Sequence, residues 1–244
     1  MNLLRSVRFV ESVSSRGGRR FEPVEERHLH GLAGRVATSM PGPAGDVILV
    51  AEMHSPLGVP DFVALVGGQS WLDSRLSANV PPVLSAIDCT VLSALAAGRS
   101  LSVASLTRRL EWQFEQVERT VRRLQQLGAV VVTPSGAVRA APGMRPAGSL
   151  YAIEAKVKNW QRAVIQGRGY RTWADNYVIV LGESGPKAAD RARSAVTADG
   201  AGLYNESGWV VRPRKRLPSG PRRTLGFEYL FAALASDPSL GRNE

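Results

Sequence analysis

Apolar and polar positions along the chain follow two periods, and the switches between them mark out the elements. In "VEERHLHGLAGRVATSM" Leu29, Leu32, Val36 and Met40 recur at helical spacing and make one apolar face. Val47 to Ala51 and Phe62 to Val66 are short apolar runs separated by "HSPLGVP", turn chemistry that predicts a hairpin. "IDCTVLSALAAG" reads as a helix ending at Gly98, and "SVASLTRRL" as a shorter one with Ser102 as N-cap. "EWQFEQVERTVRRLQQLGAV" predicts a longer helix with Phe114, Val117, Val121 and Leu124 on one stripe. "VVVTPSG" and "AVRAAP" then read as short strands around a Pro-Ser-Gly turn. From Tyr151 the pattern is strand, helix, then the strand "NYVIVL". "AGLYNESGWVVRPR" predicts a hairpin with Gly208 in its turn, "RPRKRLPSGPRR" a basic loop, and "TLGFEYLFAALAS" a final helix.

Pro81-Pro82 and "APGMRPAG" bracket a middle zone of three helices followed by a β-hairpin, the order of a winged helix-turn-helix. The expected organisation is a discontinuous core, 1–80 with 147–244, interrupted by a winged-helix insert at 81–146. The first zone, to about Pro43, reads as polar and Arg-rich apart from its one helix.

Composition narrows the partners. The 244 residues are 44% hydrophobic, enough for a real core, and carry a formal net charge of +10 with a sequence pI near 10.6. Such an excess suits a polyanion, with nucleic acid favoured over compositional drift. The lone Cys89 excludes an intramolecular disulfide and a multi-cysteine metal site. The start of the chain has no signal-peptide pattern, and no run nears the ~18 apolar residues that span a bilayer. A cytoplasmic protein without membrane contact is therefore expected. There is no Walker motif, and His28, His30 and His54 read as surface histidines.

One stretch resists a purely structural reading. Glu154 and Lys156 lie two apart inside the predicted strand "YAIEAKV", so they share a face. Burying unpaired charge is costly. Either they pair locally at a sheet edge, or they converge on something that wants a carboxylate and an ammonium together. A divalent cation with its water is one such thing, since Mg²⁺ takes one or two protein carboxylates. Asp61, straight after Pro60 at the start of a strand, is the best-placed second carboxylate.

"VPD" at Val59 to Asp61 and "EAK" at Glu154 to Lys156 resemble the PD-(D/E)XK motif of the restriction-endonuclease-like phosphodiesterases. Gln166 and Tyr170, spaced i and i+4 on the following helix, match the Q-x-x-x-Y motif of the RecB-like branch. The resemblance covers roughly 47–66 and 151–211, and the long gap between Asp61 and Glu154 departs from the short pattern. It implies an α/β fold: a restriction-endonuclease-like central mixed sheet flanked by helices, here with the winged-helix domain inserted. It implies a metal-dependent DNA nuclease in DNA repair or in defence against foreign DNA. Asp61 and Glu154 would hold Mg²⁺ or Mn²⁺, Lys156 would position the water, and Gln166 and Tyr170 would orient the phosphate or the site. Arg162, four before Gln166, would extend a polar stripe suited to phosphate. Glu52 is a candidate additional acid, as are Glu22, Glu25 and Glu26 on the first helix, Glu25 foremost. On the insert, Arg108, Arg109, Gln116, Arg119, Arg122 and Arg123 are the expected DNA contacts, opposed by Glu111, Glu115 and Glu118. A homodimer is a family expectation. The alternatives are a silent DNA-binding scaffold and a protein-interaction subunit.

Overall fold

The structure, a computed structural model, describes residues 5–11, 30–95, 100–156, 159–182 and 185–236. A mixed sheet of seven strands forms its centre: β1 (Val7–Glu11), β2 (Val47–Ala51), β3 (Phe62–Val66), β7 (Ser149–Lys156), β8 (Asn176–Leu181), β9 (Gly202–Asn205) and β10 (Gly208–Val211), in that spatial order. β2, β3 and β7 run antiparallel to their neighbours in turn; β7, β8 and β9 are parallel. β2, β3, β7 and β8 are buried at every position, which is why they read as unbroken apolar runs rather than alternating ones.

Helices cover both faces. α1 (His30–Thr38) lays Leu32, Ala33, Val36 and Ala37 on the face that carries Leu49, Ala64, Ile153 and Ala155. On the other face α2 (Gln69–Ser77), α6 (Trp160–Tyr170), α7 (Pro186–Asp199) and α8 (Gly220–Ala235) pack over Val63, Leu65, Ala152 and Ile179. Residues 81–146 have a core of their own. In it α3 (Ala86–Leu95), α4 (Val103–Leu110) and α5 (Phe114–Gln126) bury Cys89, Leu92, Leu106, Val117 and Leu124 against Val130 and Val138. Its sheet has three strands, β4 (Leu101–Ser102), β6 (Ala137–Ala140) and β5 (Val130–Val132), one more than the predicted hairpin. Ser102 caps α4 as expected, accepting from the Ser105 amide.

Several expectations are corrected. β7 is a central strand, so a local ion pair at a sheet edge is ruled out for Glu154 and Lys156. Phe114 is 47% exposed and opens α5, leaving Val117, Thr120, Val121 and Leu124 as its buried face. The supposedly strand-free first zone supplies β1, an edge strand that buries only Val10. α2 and α7 carried no readable apolar period, because each buries only two or three side chains and one of those is Arg75. Leu29, Gly98 and His28 lie outside the described residues, and His54 is exposed.

That buried Arg75 holds the middle segment to the sheet. Its guanidinium donates to both carboxylate oxygens of Glu228 on α8, at 3.2 and 2.9 Å, and to the carbonyls of Val80 and Pro81 at 2.5 and 2.8 Å. Glu228 also accepts from the Val83 amide at 2.8 Å, and Phe231 lies under the guanidinium at 4.0 Å. On the return side Trp71 Nε1 donates to the Gly143 carbonyl at 2.9 Å. A Cβ at Gly143, where φ is +78°, would stand 2.7 Å from the Arg75 Cα. Both connections of residues 81–146 are therefore bonded to α2. Removing one partner of a buried pair strands the other charge, at a cost of about 3–5 kcal/mol. Arg75→Ala is expected to lower the urea midpoint accordingly, whereas the exposed Arg122–Glu118 pair, broken by Arg122→Ala, costs under ~1 kcal/mol.

Candidate active site

The antiparallel register Phe62↔Ile153 brings Asp61, one residue before β3, alongside Glu154 on β7. The contact is direct: Asp61 Oδ2 accepts from the Ala155 amide at 2.7 Å. Lys156 Nζ lies 3.3 Å from Glu154 Oε1 and 3.7 Å from Asp61 Oδ2. The three charges predicted from the sequence therefore meet, at the end of the sheet where β2 and β7 finish and β3 begins. All three are buried.

Tyr170 completes the cluster from α6. Its hydroxyl donates to Glu154 Oε2 at 3.0 Å. The helix is placed by two local devices. Asn159 caps it by accepting from the Arg162 amide at 3.1 Å. Gly167 lets it lie on β8, since a Cβ there would fall 2.2 Å from the Tyr177 ring. The β2–β3 turn closes on the same tyrosine: Gly58, at φ +82°, would place a Cβ 3.3 Å from the Tyr170 ring. Of these devices, a glycine in "GRG" fitted for close packing was visible in the sequence; the role of Gly58 was not, because it depends on how the turn folds over α6.

Burial pushes the Glu154 carboxyl up to about 7, and the nearby Asp61 carboxylate adds to the shift; Lys156 and the Tyr170 hydroxyl oppose it. Tyr170 is itself held well above the ordinary phenol range by burial and by the Glu154 carboxylate, so it stays a neutral donor. Glu154 Oε1 is buried and accepts no hydrogen bond. A carboxylate with a spare oxygen, beside a second carboxylate, is the donor set that Mg²⁺ or Mn²⁺ takes. The pair Asp61 and Glu154 thus fits the implied ion.

The remaining expected residues divide. Gln166 is half-buried, with its Oε1 buried and unbonded. Arg162 is exposed, Gln166 intermediate and Tyr170 buried, so they do not form one solvent-facing polar stripe; the row descends from surface to core. Glu52 follows β2 in the left-handed region, at φ +47°, and its amide donates to the Asp61 carbonyl at 3.0 Å. Glu22, Glu25 and Glu26 lie outside the described residues. On the middle segment Arg108, Arg109, Arg119 and Arg122 are exposed and Gln116 is half-buried. Arg123 is taken up by Asp88, through bonds from Nε to both carboxylate oxygens at 3.1 Å and a further contact from Nη2. No described helix is long and apolar enough to cross a membrane.

The raised Glu154 carboxyl ties stability to pH. The folded chain holds this proton where the unfolded chain, near 4.5, has released it. The stability it contributes is therefore complete below about 4.5 and is lost as the pH rises through about 7. In metal-free buffer, Glu154→Gln is expected to flatten that part of the pH–stability curve and to make the chain more stable than wild type at pH 8, as read by urea unfolding at fixed ionic strength.

Comparison with protein-family models, with curated proteins and with solved structures finds no match to the chain, so the geometry of the site carries the functional argument.

Proposed function

We propose that the chain is a metal-dependent DNA phosphodiesterase on a restriction-endonuclease-like core. The observation that carries this reading is the meeting of Asp61, Glu154 and Lys156 around one point, across residues that are far apart in sequence. Asp61 and Glu154 would hold Mg²⁺ or Mn²⁺. When bound, such an ion supplies Lewis acidity and lowers the pKa of a water. Lys156 orients the attacking water and offsets negative charge that develops on the phosphate oxygens. Tyr170 fixes the Glu154 carboxylate through its hydroxyl, which assigns it to positioning rather than to phosphate contact. Gln166 offers its unbonded carbonyl toward the same region from the preceding turn of α6.

The net charge of +10 supports a polyanionic substrate. Residues 81–146, read as a winged helix, would present α5 to duplex DNA through Gln116, Arg119 and Arg122, with Arg108 and Arg109 on α4 against the backbone. Arg123 is withdrawn from that set by Asp88. Roles in DNA repair or in defence against foreign DNA both suit such an activity, in the cytoplasm and as a monomer or homodimer. A silent scaffold is the second reading. What favours it is that Lys156 already bridges both carboxylates, so the cluster is electrostatically satisfied without an ion.

The two separate on linear, supercoiled, single-stranded and branched DNA with Mg²⁺, Mn²⁺ or EDTA. The nuclease reading expects metal-dependent cleavage that falls by at least ~10²-fold in Asp61→Ala and in Lys156→Ala. DNA binding without cleavage, unchanged in both variants, would leave the scaffold; absence of any nucleic-acid binding would leave a protein-interaction subunit.

A further inference from the structure

Among the described residues, buried side-chain polar atoms that lack a hydrogen-bond partner gather in two places. Glu154 Oε1 and Gln166 Oε1, both acceptors, lie in the candidate active site. Arg5 Nη1, Ser149 Oγ and Tyr151 OH lie at the other end of β7, and all three can donate. Ser149 and Tyr151 are two apart on the strand and share the face that α1 covers. Both residues are fully buried.

The turn between α1 and β2 closes over them. Gly42 packs on the Val66–Ser149 cross-strand pair, where a Cβ would stand 2.8 Å from Val66 Cγ1 and 3.4 Å from Ser149 Cβ. Arg5, just before β1, reaches under the same turn and donates through Nη2 to the Gly42 carbonyl at 2.9 Å. Its other terminal nitrogen is left without a partner, and its charge acts on the Tyr151 hydroxyl. No carboxylate among the described residues pairs with Arg5. The acid nearest to Tyr151 in effect, Asp175, is bonded by Arg223 at 2.6 and 3.1 Å and by the Leu150 amide at 3.1 Å. Burial keeps the Tyr151 hydroxyl protonated, raising it to about 12.

We propose that Arg5, Ser149 and Tyr151 form a second site, distinct from the candidate active site, that binds a small inorganic oxyanion of the phosphate or sulfate type. A guanidinium without a counter-charge beside two unbonded hydroxyls selects an anion over a water molecule, which would satisfy the geometry and leave the charge uncompensated. Enclosure of all three atoms excludes the phosphate of a polymer strand. The site lies where the chain returns from residues 81–146 into the sheet, so occupancy would tie β1, the α1–β2 turn and β7 together.

The test is thermal melting of the full chain in EDTA, with phosphate or sulfate exchanged for chloride at constant ionic strength. The site predicts a saturable rise of a few degrees with either oxyanion. The rise should vanish in Arg5→Gln, shrink in Tyr151→Phe, and persist in Asp61→Ala, which separates it from the active site. Should Arg5→Gln fail to fold, wild-type crystals soaked in selenate decide the matter through the selenium anomalous signal beside Tyr151. Equal melting in all three salts, a rise unchanged in Tyr151→Phe and Arg5→Gln, or no selenium peak would overturn the proposal.

Discussion

Two carboxylates held side by side in a sheet interior are the constraint around which this molecule is arranged. Asp61 and Glu154 sit on neighbouring antiparallel strands, out of solvent, with one ammonium between them. Left alone the pair would repel, and the upward shift of the Glu154 carboxyl records that repulsion together with burial. The surrounding bonds act to hold the charges despite it. The Ala155 amide takes one oxygen of Asp61, the Tyr170 hydroxyl takes one oxygen of Glu154, and Gly58 and Gly167 let the turn and the helix come close enough for Tyr170 to do so. A fold selected only for stability would replace such a cluster by apolar side chains. Its retention in the middle of the sheet is the physical argument for chemistry.

The same sheet separates tasks between its two ends. The charged cluster occupies the end where β7 finishes, and residues 81–146 leave and rejoin at the end where β7 begins. At about 3.3 Å per residue, Ser149 and Glu154 are roughly 17 Å apart along the strand. The middle segment is not a loose appendage across that distance. Arg75, Glu228 and the backbone groups of Val80, Pro81 and Val83 form one buried network, with Trp71 bonding the return strand. Any nucleic acid bound by the exposed arginines of α4 and α5 would thus be held at a set displacement from the carboxylates.

Much of this was legible in the residue pattern, for stated reasons. β2 and β3 have the bounds that the sequence predicted, because strands buried on both faces leave an unbroken apolar run. Asp61, Glu154 and Lys156 were identifiable because charge inside such a run is rare and the alternation rule put Glu154 and Lys156 on one face. β1, α2 and α7 were not legible, since an edge strand and thinly buried helices carry little periodicity. Phe114 misled because helical spacing does not say where a helix begins. Arg123 looked like a free surface cation until the fold brought Asp88, far back in the sequence, against it. Tyr170 was expected to serve phosphate or site; only the packing of α6 on β8 shows its hydroxyl on Glu154.

The central claim, that Asp61 and Glu154 share one divalent cation, is tested most directly by anomalous diffraction from crystals soaked in Mn²⁺. The account predicts a single manganese peak at about 2.0–2.4 Å from a carboxylate oxygen of each residue, with the Lys156 ammonium moved aside but still in the site. Crystals saturated with Mn²⁺ that show no peak there, and Lys156 still bridging the two carboxylates, would contradict it.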